Sequence, residues 1–151
     1  MESQPQVLNQ FLVDVFHEIL KTEEEELARV CPDLSLRELH LIETVCLAAR
    51  EDRDNRASAI AAAQRVTAGT LTTVVGQLER KGYVTRQRDA QDRRAVRIFP
   101  TPKGWQANDR HARFHQEMVA AILDHLTPEE AQVFVKGLGA VARFFRNGRR
   151  D

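Results

Sequence analysis

The sequence predicts a mainly α-helical fold that carries one small β-hairpin. Three observations lead there. Apolar residues recur every three or four positions through most of the 151 residues. Capping signals, Ser35 with Glu38 and Thr127 with Glu130, stand directly in front of two such runs. The stretch from Tyr83 to Phe99 instead alternates with a period of two and is broken by the charged run DAQDRR.

Taken in order, residues 6–30 place Val7, Phe11, Val15, Ile19 and Leu27 on one helical stripe, and Pro32 ends it. Ser35 and Glu38 open a helix over 35–49, with Leu36, Leu39, Ile42, Val45 and Cys46 on one side. Arg50 to Arg56 is polar and reads as a loop. Ala57 to Gln64 is a short alanine-rich helix anchored by Ile60, small enough to cross a neighbour closely. Thr67 can cap a helix that runs to about Lys81. Its face of Leu71, Val74, Val75 and Leu78 must be buried, and the opposite face carries Gly69, Thr72, Thr73, Gly76 and Gln77. Gly82 turns the chain into strands over 83–88 and 95–99. Thr101-Pro102 starts a helix reaching about His125, with proline at the first helical position. The Thr127 box opens the last helix, which carries Val133, Phe134, Leu138, Val141 and Phe145 to about Arg146; Asn147-Gly148 is its stop.

Composition is that of an ordinary globular chain: 42% hydrophobic, 29% charged, formal net charge zero. No run reaches the ~20 apolar residues of a membrane span. The N-terminus has neither the basic nor the apolar segment of a secretory signal, so a cytoplasmic location is expected. Cys31 and Cys46 lack CxxC spacing and read as reduced packing residues. Charge is polarised along the chain. Residues 1–33 hold eight acids (Glu2, Asp14, Glu18, Glu23, Glu24, Glu25, Glu26, Asp33) against Lys21 and Arg29. Residues 80–97 hold seven bases (Arg80, Lys81, Arg86, Arg88, Arg93, Arg94, Arg97) against Asp89 and Asp92.

A polar-faced helix followed by an arginine-tipped hairpin is the form of a winged helix-turn-helix, which reads duplex DNA. Thr72, Thr73 and Gln77 are short polar groups suited to base edges or phosphates in a major groove, and Gln77 can pair with adenine. Thr67 and Thr70, near the helix start, suit phosphate. Arg93 and Arg94 are candidates for minor-groove insertion, with Asp92 orienting one of them. Arg86, Arg88 and Arg97 would neutralise phosphates along the strands. Two glycines inside the helix cost roughly 1 kcal/mol each relative to alanine. Close approach to a DNA backbone would explain them, as would tight internal packing or simple tolerance. No arginine lies on the base-facing turns, so sequence choice would lean on groove shape. The expected target is an A/T-rich palindrome of double-stranded DNA with half-sites about one helical turn apart. The expected architecture is one domain over 1–151. Its winged unit at 34–100 is flanked by dimerisation helices at 1–33 and 101–151, whose apolar stripes should pack on a second copy in a homodimer.

The string GTLTTVVGQLERKGYV followed by RDAQDRRAVRIFPTPKG resembles the MarR family of dimeric winged-helix regulators. That family's D-x-R wing element is present as Asp92-Arg93-Arg94, and its LT-x-x-G element is here Pro100-Thr101-Pro102-Lys103-Gly104, with proline in place of leucine. GTLTT, ERKGYV-x-R-x-R, Phe114-His115-x-x-Met118-Val119 and Glu38-Leu39-His40 are similar to the FabT-type branch, which represses fatty-acid synthesis. That resemblance implies a repressor of fatty-acid biosynthesis genes with acyl-acyl carrier protein as co-repressor. It also implies an effector pocket, for which Phe11, Phe16, His40, His111, Phe114, His115 and Met118 are the candidate lining.

A second effector reading stays open. His111 and His115 share a helical face, and with His40 and a carboxylate such as Glu24 they could hold zinc tetrahedrally. This makes a zinc-responsive regulator the alternative to a chain without cofactor. A thiol sensor is a weaker option, because Cys31 comes late and lacks an electropositive setting. An enzyme is not expected: there is no G-x-S-x-G, phosphate loop or HExxH. A non-DNA adaptor would leave the threonine face and the arginine tip without a purpose.

Overall fold

The structure is a computed structural model that describes residues 1–148. The chain divides into two compact units, one from Met1 to Asp109 and one beginning at Arg110. Among the described residues no helix is long and apolar enough to cross a membrane.

The first unit opens with helix α1 (Gln4–Gln10), a π-helical turn over Phe11–Val15, and helix α2 (Phe16–Val30). Periodicity alone predicts an unbroken α-helix here. The apolar stripe is covered only at its end: Leu27 is buried, while Val7, Phe11, Phe16 and Ile19 are exposed. Helix α3 (Leu36–Arg50) begins where its capping box says it should: the Glu38 amide donates to Ser35 Oγ at 3.2 Å, and the Ser35 amide donates to Glu38 Oε1 at 3.0 Å. Helices α4 (Ala57–Gln64) and α5 (Ala68–Arg80) follow, joined by a tight turn in which Arg65 takes a left-handed conformation (φ 54°, ψ 42°). Strands β1 (Val84–Arg88) and β2 (Val96–Pro100) pair antiparallel, in register from Val84 with Pro100 to Arg88 with Val96.

The segment expected to be a plain loop before α4 does more. Arg56 bridges Arg97 of β2, and the Ile98 amide donates to the Asn55 carbonyl at 3.0 Å, so the body contributes a short third edge to the hairpin. Leu39, Ile42, Val45, Ile60, Leu71, Val75, Leu78, Val84 and Ile98 form the core beneath. Leu27, Cys31 and Leu34 belong to that same core, so the end of α2 is integral to the first unit. Helix α6 (Pro102–Leu123) starts against the hairpin. A Cβ on Gly104 would run into the Tyr83 carbonyl, and Thr101 both caps α6 through the Gly104 amide (3.2 Å) and donates to the Gly82 carbonyl (2.6 Å). This is the physical content of the Thr101-Pro102-Lys103-Gly104 element.

The second unit contains the rest of α6 and helix α7 (Pro128–Arg146), which opens on the full Thr127/Glu130 box and has no buried residue. Val133, Phe134, Leu138 and Phe145 are all exposed, Val133 to 72%.

Candidate nucleic-acid interface

Helix α5 is amphipathic in the expected sense. Leu71, Val74, Val75 and Leu78 are buried, and Thr72, Thr73 and Gln77 are exposed opposite them. Thr67 is the cap: its Oγ accepts from the Thr70 amide at 3.2 Å and lies 3.0 Å from the Thr70 hydroxyl. Its first duty is therefore to the helix rather than to a phosphate. The Thr72 and Thr73 hydroxyls donate to the Ala68 and Gly69 carbonyls at 2.9 and 3.1 Å. Their donor hydrogens are thus used within the helix, and each offers lone pairs outward. Gln77 is exposed, and its amide offers both donors and an acceptor. The helical glycines have no internal packing duty. A Cβ at Gly69 would meet nothing, and one at Gly76 would meet only Arg80 Nη1 at 3.7 Å. Tight internal packing is thereby removed as their explanation.

The wing's charge is sorted by pairing. Arg86 is held by Glu79, at 3.0 Å from Nη2, in an exposed pair worth at most about 1 kcal/mol. That pair can exchange for a phosphate. Arg97, expected to neutralise phosphate, is instead fixed by Asp89 and Asn55. Lys81 bonds Glu38 and the Asp33 carbonyl. The Arg88, Arg93 and Arg94 side chains remain exposed and extend from the strand and tip. Asp92 accepts from the Arg94 amide at 3.0 Å rather than from a guanidinium: it shapes the tip turn, which leaves the arginine side chain unconstrained.

Arg37, not singled out from the sequence, enters the same surface. It stands on the first turn of α3, exposed, and lines an open groove of about 410 Å³ with Ser35, Glu38, Thr70, Thr73, Val74 and Gln77. A cation in a helix's first turn is unfavourable against the macrodipole, and the neighbouring Glu38 is committed to Lys81. The sequence signal is the base in a helix's first turn; that Glu38 is committed elsewhere appears only in the fold.

Below this face a polar knot ties α5 to the rest of the unit. Lys81 Nζ donates to Glu38 Oε2 at 2.8 Å and to the Asp33 carbonyl at 2.6 Å. The Tyr83 hydroxyl donates to the Asp33 carboxylate at 2.9 Å, and Lys103 Nζ sits 4.3 Å from the Tyr83 ring centre. Burial, then Asp33, push the Tyr83 phenol up, so it stays a donor. Burial pushes the Glu38 carboxyl up, but bonds from Lys81 and Ser35 outweigh it and leave the group below its ordinary value.

The candidate effector residues are placed separately by the two units. In the first, Phe11 and Phe16 are exposed. His40 is half-buried, its carbonyl accepting from Gln64 Nε2 at 3.2 Å. Glu24 faces solvent, and its neighbour Glu23, one helical turn before Leu27, is the buried carboxylate at 7% exposure. The glutamate of the run that turns inward is therefore Glu23, not the Glu24 expected as a ligand. In the second unit His111, Phe114, His115 and Met118 are half-buried on one side of α6. The two imidazoles stand edge to face with Nε2 atoms 2.8 Å apart. Cys31 and Cys46 are buried free thiols, as expected of packing residues.

A MarR family model matches residues 35–96. The fold is similar to that of Streptococcus pneumoniae FabT solved in complex with DNA: 36% identity, TM-score 0.88, covering 95% of this chain and 99% of that one. The Staphylococcus aureus MepR–DNA complex shares the fold at 21% identity and TM-score 0.71, over 93% and 98% of the two chains. The HTH-type transcriptional repressor YetL of Bacillus subtilis is 32% identical over 89 residues, 58% of this chain and 53% of that protein. The chain spans about half the length of the curated relatives it matches. These relatives are transcriptional regulators, not enzymes. Near-complete coverage of a 36%-identical winged-helix relative, together with the matched 35–96 segment, shows that this chain belongs to the MarR family.

Proposed function

We propose that the protein is a homodimeric, double-stranded-DNA-binding transcription regulator that works in the cytoplasm as a repressor of fatty-acid biosynthesis genes, with acyl-acyl carrier protein as co-repressor. The observation that carries the DNA reading is the outer face of α5. Thr72, Thr73 and Gln77 lie exposed over a fully apolar inner face, beside a hairpin whose Arg88, Arg93 and Arg94 are exposed. The fatty-acid branch is supported by the 36% identity to a FabT protein across nearly the whole chain. Dimerisation is supported by the apolar side chains each unit leaves uncovered. Val7, Leu8, Val13 and Phe16 in the first unit and Val133, Val135, Phe144 and Phe145 in the second all exceed 48% exposure. Full burial of such a side chain contributes about 1.5–3 kcal/mol, and apolar patches of this extent mark interaction sites.

The test is fluorescence anisotropy of the full chain on A/T-rich palindromic duplexes across a salt series, with and without long-chain acyl-acyl carrier protein. Binding should weaken steeply with salt and tighten with the acyl carrier. No binding at low salt in either condition would leave an adaptor. Salt-dependent binding indifferent to the acyl carrier would remove the co-repressor. A second reading, a zinc-responsive regulator, is favoured by the His111–His115 ring approach. Loss of DNA binding on chelation, restored by zinc alone, would select it.

A further inference from the structure

We propose that Asn55, Arg97 and Asp89 form a strut that sets the angle at which the wing arginines meet DNA. The inference rests on the DNA-binding reading above and assigns these three as positioning residues rather than contacts.

A two-stranded hairpin by itself is only marginally stable and free to bend. Here it is pinned from its middle to its tip. Asn55, 9% exposed in the body, pairs with β2 through its carbonyl and donates from Nδ2 to the Ile98 carbonyl at 3.4 Å. Its Oδ1 accepts from Arg97 Nη1 at 2.7 Å. The other side of the same guanidinium donates from Nε to Asp89 Oδ2 at 2.8 Å, with Nη2 also 2.8 Å from that oxygen. Asp89, its side chain 12% exposed, stands where β1 gives way to the tip. Its amide donates to the Ala95 carbonyl, and its Oδ1 accepts from the Gln91 amide, each at 2.9 Å. The polar chain therefore runs from the body through Asn55, Arg97 and Asp89 into the loop that presents Arg93 and Arg94. Only a planar guanidinium can bond two partners on opposite edges in this way; an ammonium at the same place keeps the charge but not the fork.

A contact reading of the same residues predicts the opposite sign. If Arg97 served phosphates, Asp89→Asn would free it and remove an anion from the DNA face. Affinity would rise and the salt dependence would steepen. If the three residues form a strut, the same substitution weakens binding, because the tip loses its preorganised approach.

The experiment uses the full chain and the duplex that wild type itself selects from a random library. Asp89→Asn, Arg97→Lys, Arg94→Ala and the Asp89→Asn/Arg94→Ala double variant are measured by anisotropy, with thermal melting of each. Asp89→Asn and Arg97→Lys should each weaken binding about tenfold with little change in melting, as expected when preorganisation is lost. Arg94→Ala should cost about tenfold in wild type but under about threefold in the Asp89→Asn background, the non-additivity of coupled groups. Equal or tighter binding by Asp89→Asn, or a full Arg94→Ala penalty in both backgrounds, would overturn the strut while leaving DNA binding intact. Failure of wild type to select any duplex would overturn the DNA reading and the strut with it.

Discussion

Gly104→Ala sets two effects of known size against each other. Alanine in place of glycine favours a helix by at most about 1 kcal/mol, and Gly104 lies in the first turn of α6, where less of that is realised. Against it stands the Tyr83 carbonyl, which occupies the space a Cβ needs and also accepts from the Thr101 amide at 3.1 Å. Backbone cannot rotate aside as a side chain can, so the helix start or the Tyr83 peptide must shift. Overpacking of this kind costs about 1–3 kcal/mol, and disturbing the Thr101 bond adds about 1 kcal/mol. The net expectation is a loss of about 2 kcal/mol, or roughly 4–8 °C in melting temperature for a chain of this size. Gly69→Ala is the internal control, since nothing lies near its Cβ. It should gain up to about 1 kcal/mol, and any loss of operator affinity in that more stable variant would then report close approach of DNA. The assay is thermal melting by circular dichroism, paired with anisotropy. A Gly104→Ala protein that melts with or above wild type would refute the packing argument.

Three further outcomes follow from the same geometry. Arg37→Ala should weaken binding evenly across duplex sequences and reduce the salt slope by about one, as for a lost phosphate contact; a change in sequence preference with no change in slope would contradict that. Glu38→Gln should cost about 2 kcal/mol at neutral pH by removing the charge that faces Lys81, since glutamine still serves the Ser35 cap. Because Glu38 titrates below its unfolded value, its contribution is complete above about pH 5 and is lost as pH falls through the folded pKa. Urea melts should therefore converge for the two proteins at low pH, and a constant gap would exclude the linkage. Burial pushes the Cys46 thiol up to about 12, and its Sγ lies 4.0 Å from the Gly104 carbonyl. Native protein at mild alkaline pH should leave Cys46 unalkylated until it unfolds; rapid labelling in the native state would refute this.

Local signals placed most elements well. Ser35/Glu38, Thr67 and Thr127/Glu130 each cap the helix they announce, because a cap is a contact between residues three apart and is fully present in the sequence. The period of two found the hairpin for a similar reason, and the face of α5 follows from helical geometry alone. The misses are of another kind. A π turn interrupts the first helical run at Phe11–Val15, and in the acidic run it is Glu23 rather than Glu24 that turns inward.

The charges show most plainly where the sequence stops. Counting bases between Arg80 and Arg97 marked the working end of the chain, and that is a property of composition. Which of those bases are available depends on partners up to 48 positions away: Lys81 goes to Asp33 and Glu38, and Arg97 goes to Asn55 and Asp89. Local order thus determined the helices, the wing and the recognition face. Only the tertiary structure decided that Arg97 braces the wing, that Arg37 joins the groove and that Gly104 must lack a side chain. Each of these depends on atoms brought together by chain closure across tens of residues, and no spacing rule encodes that approach.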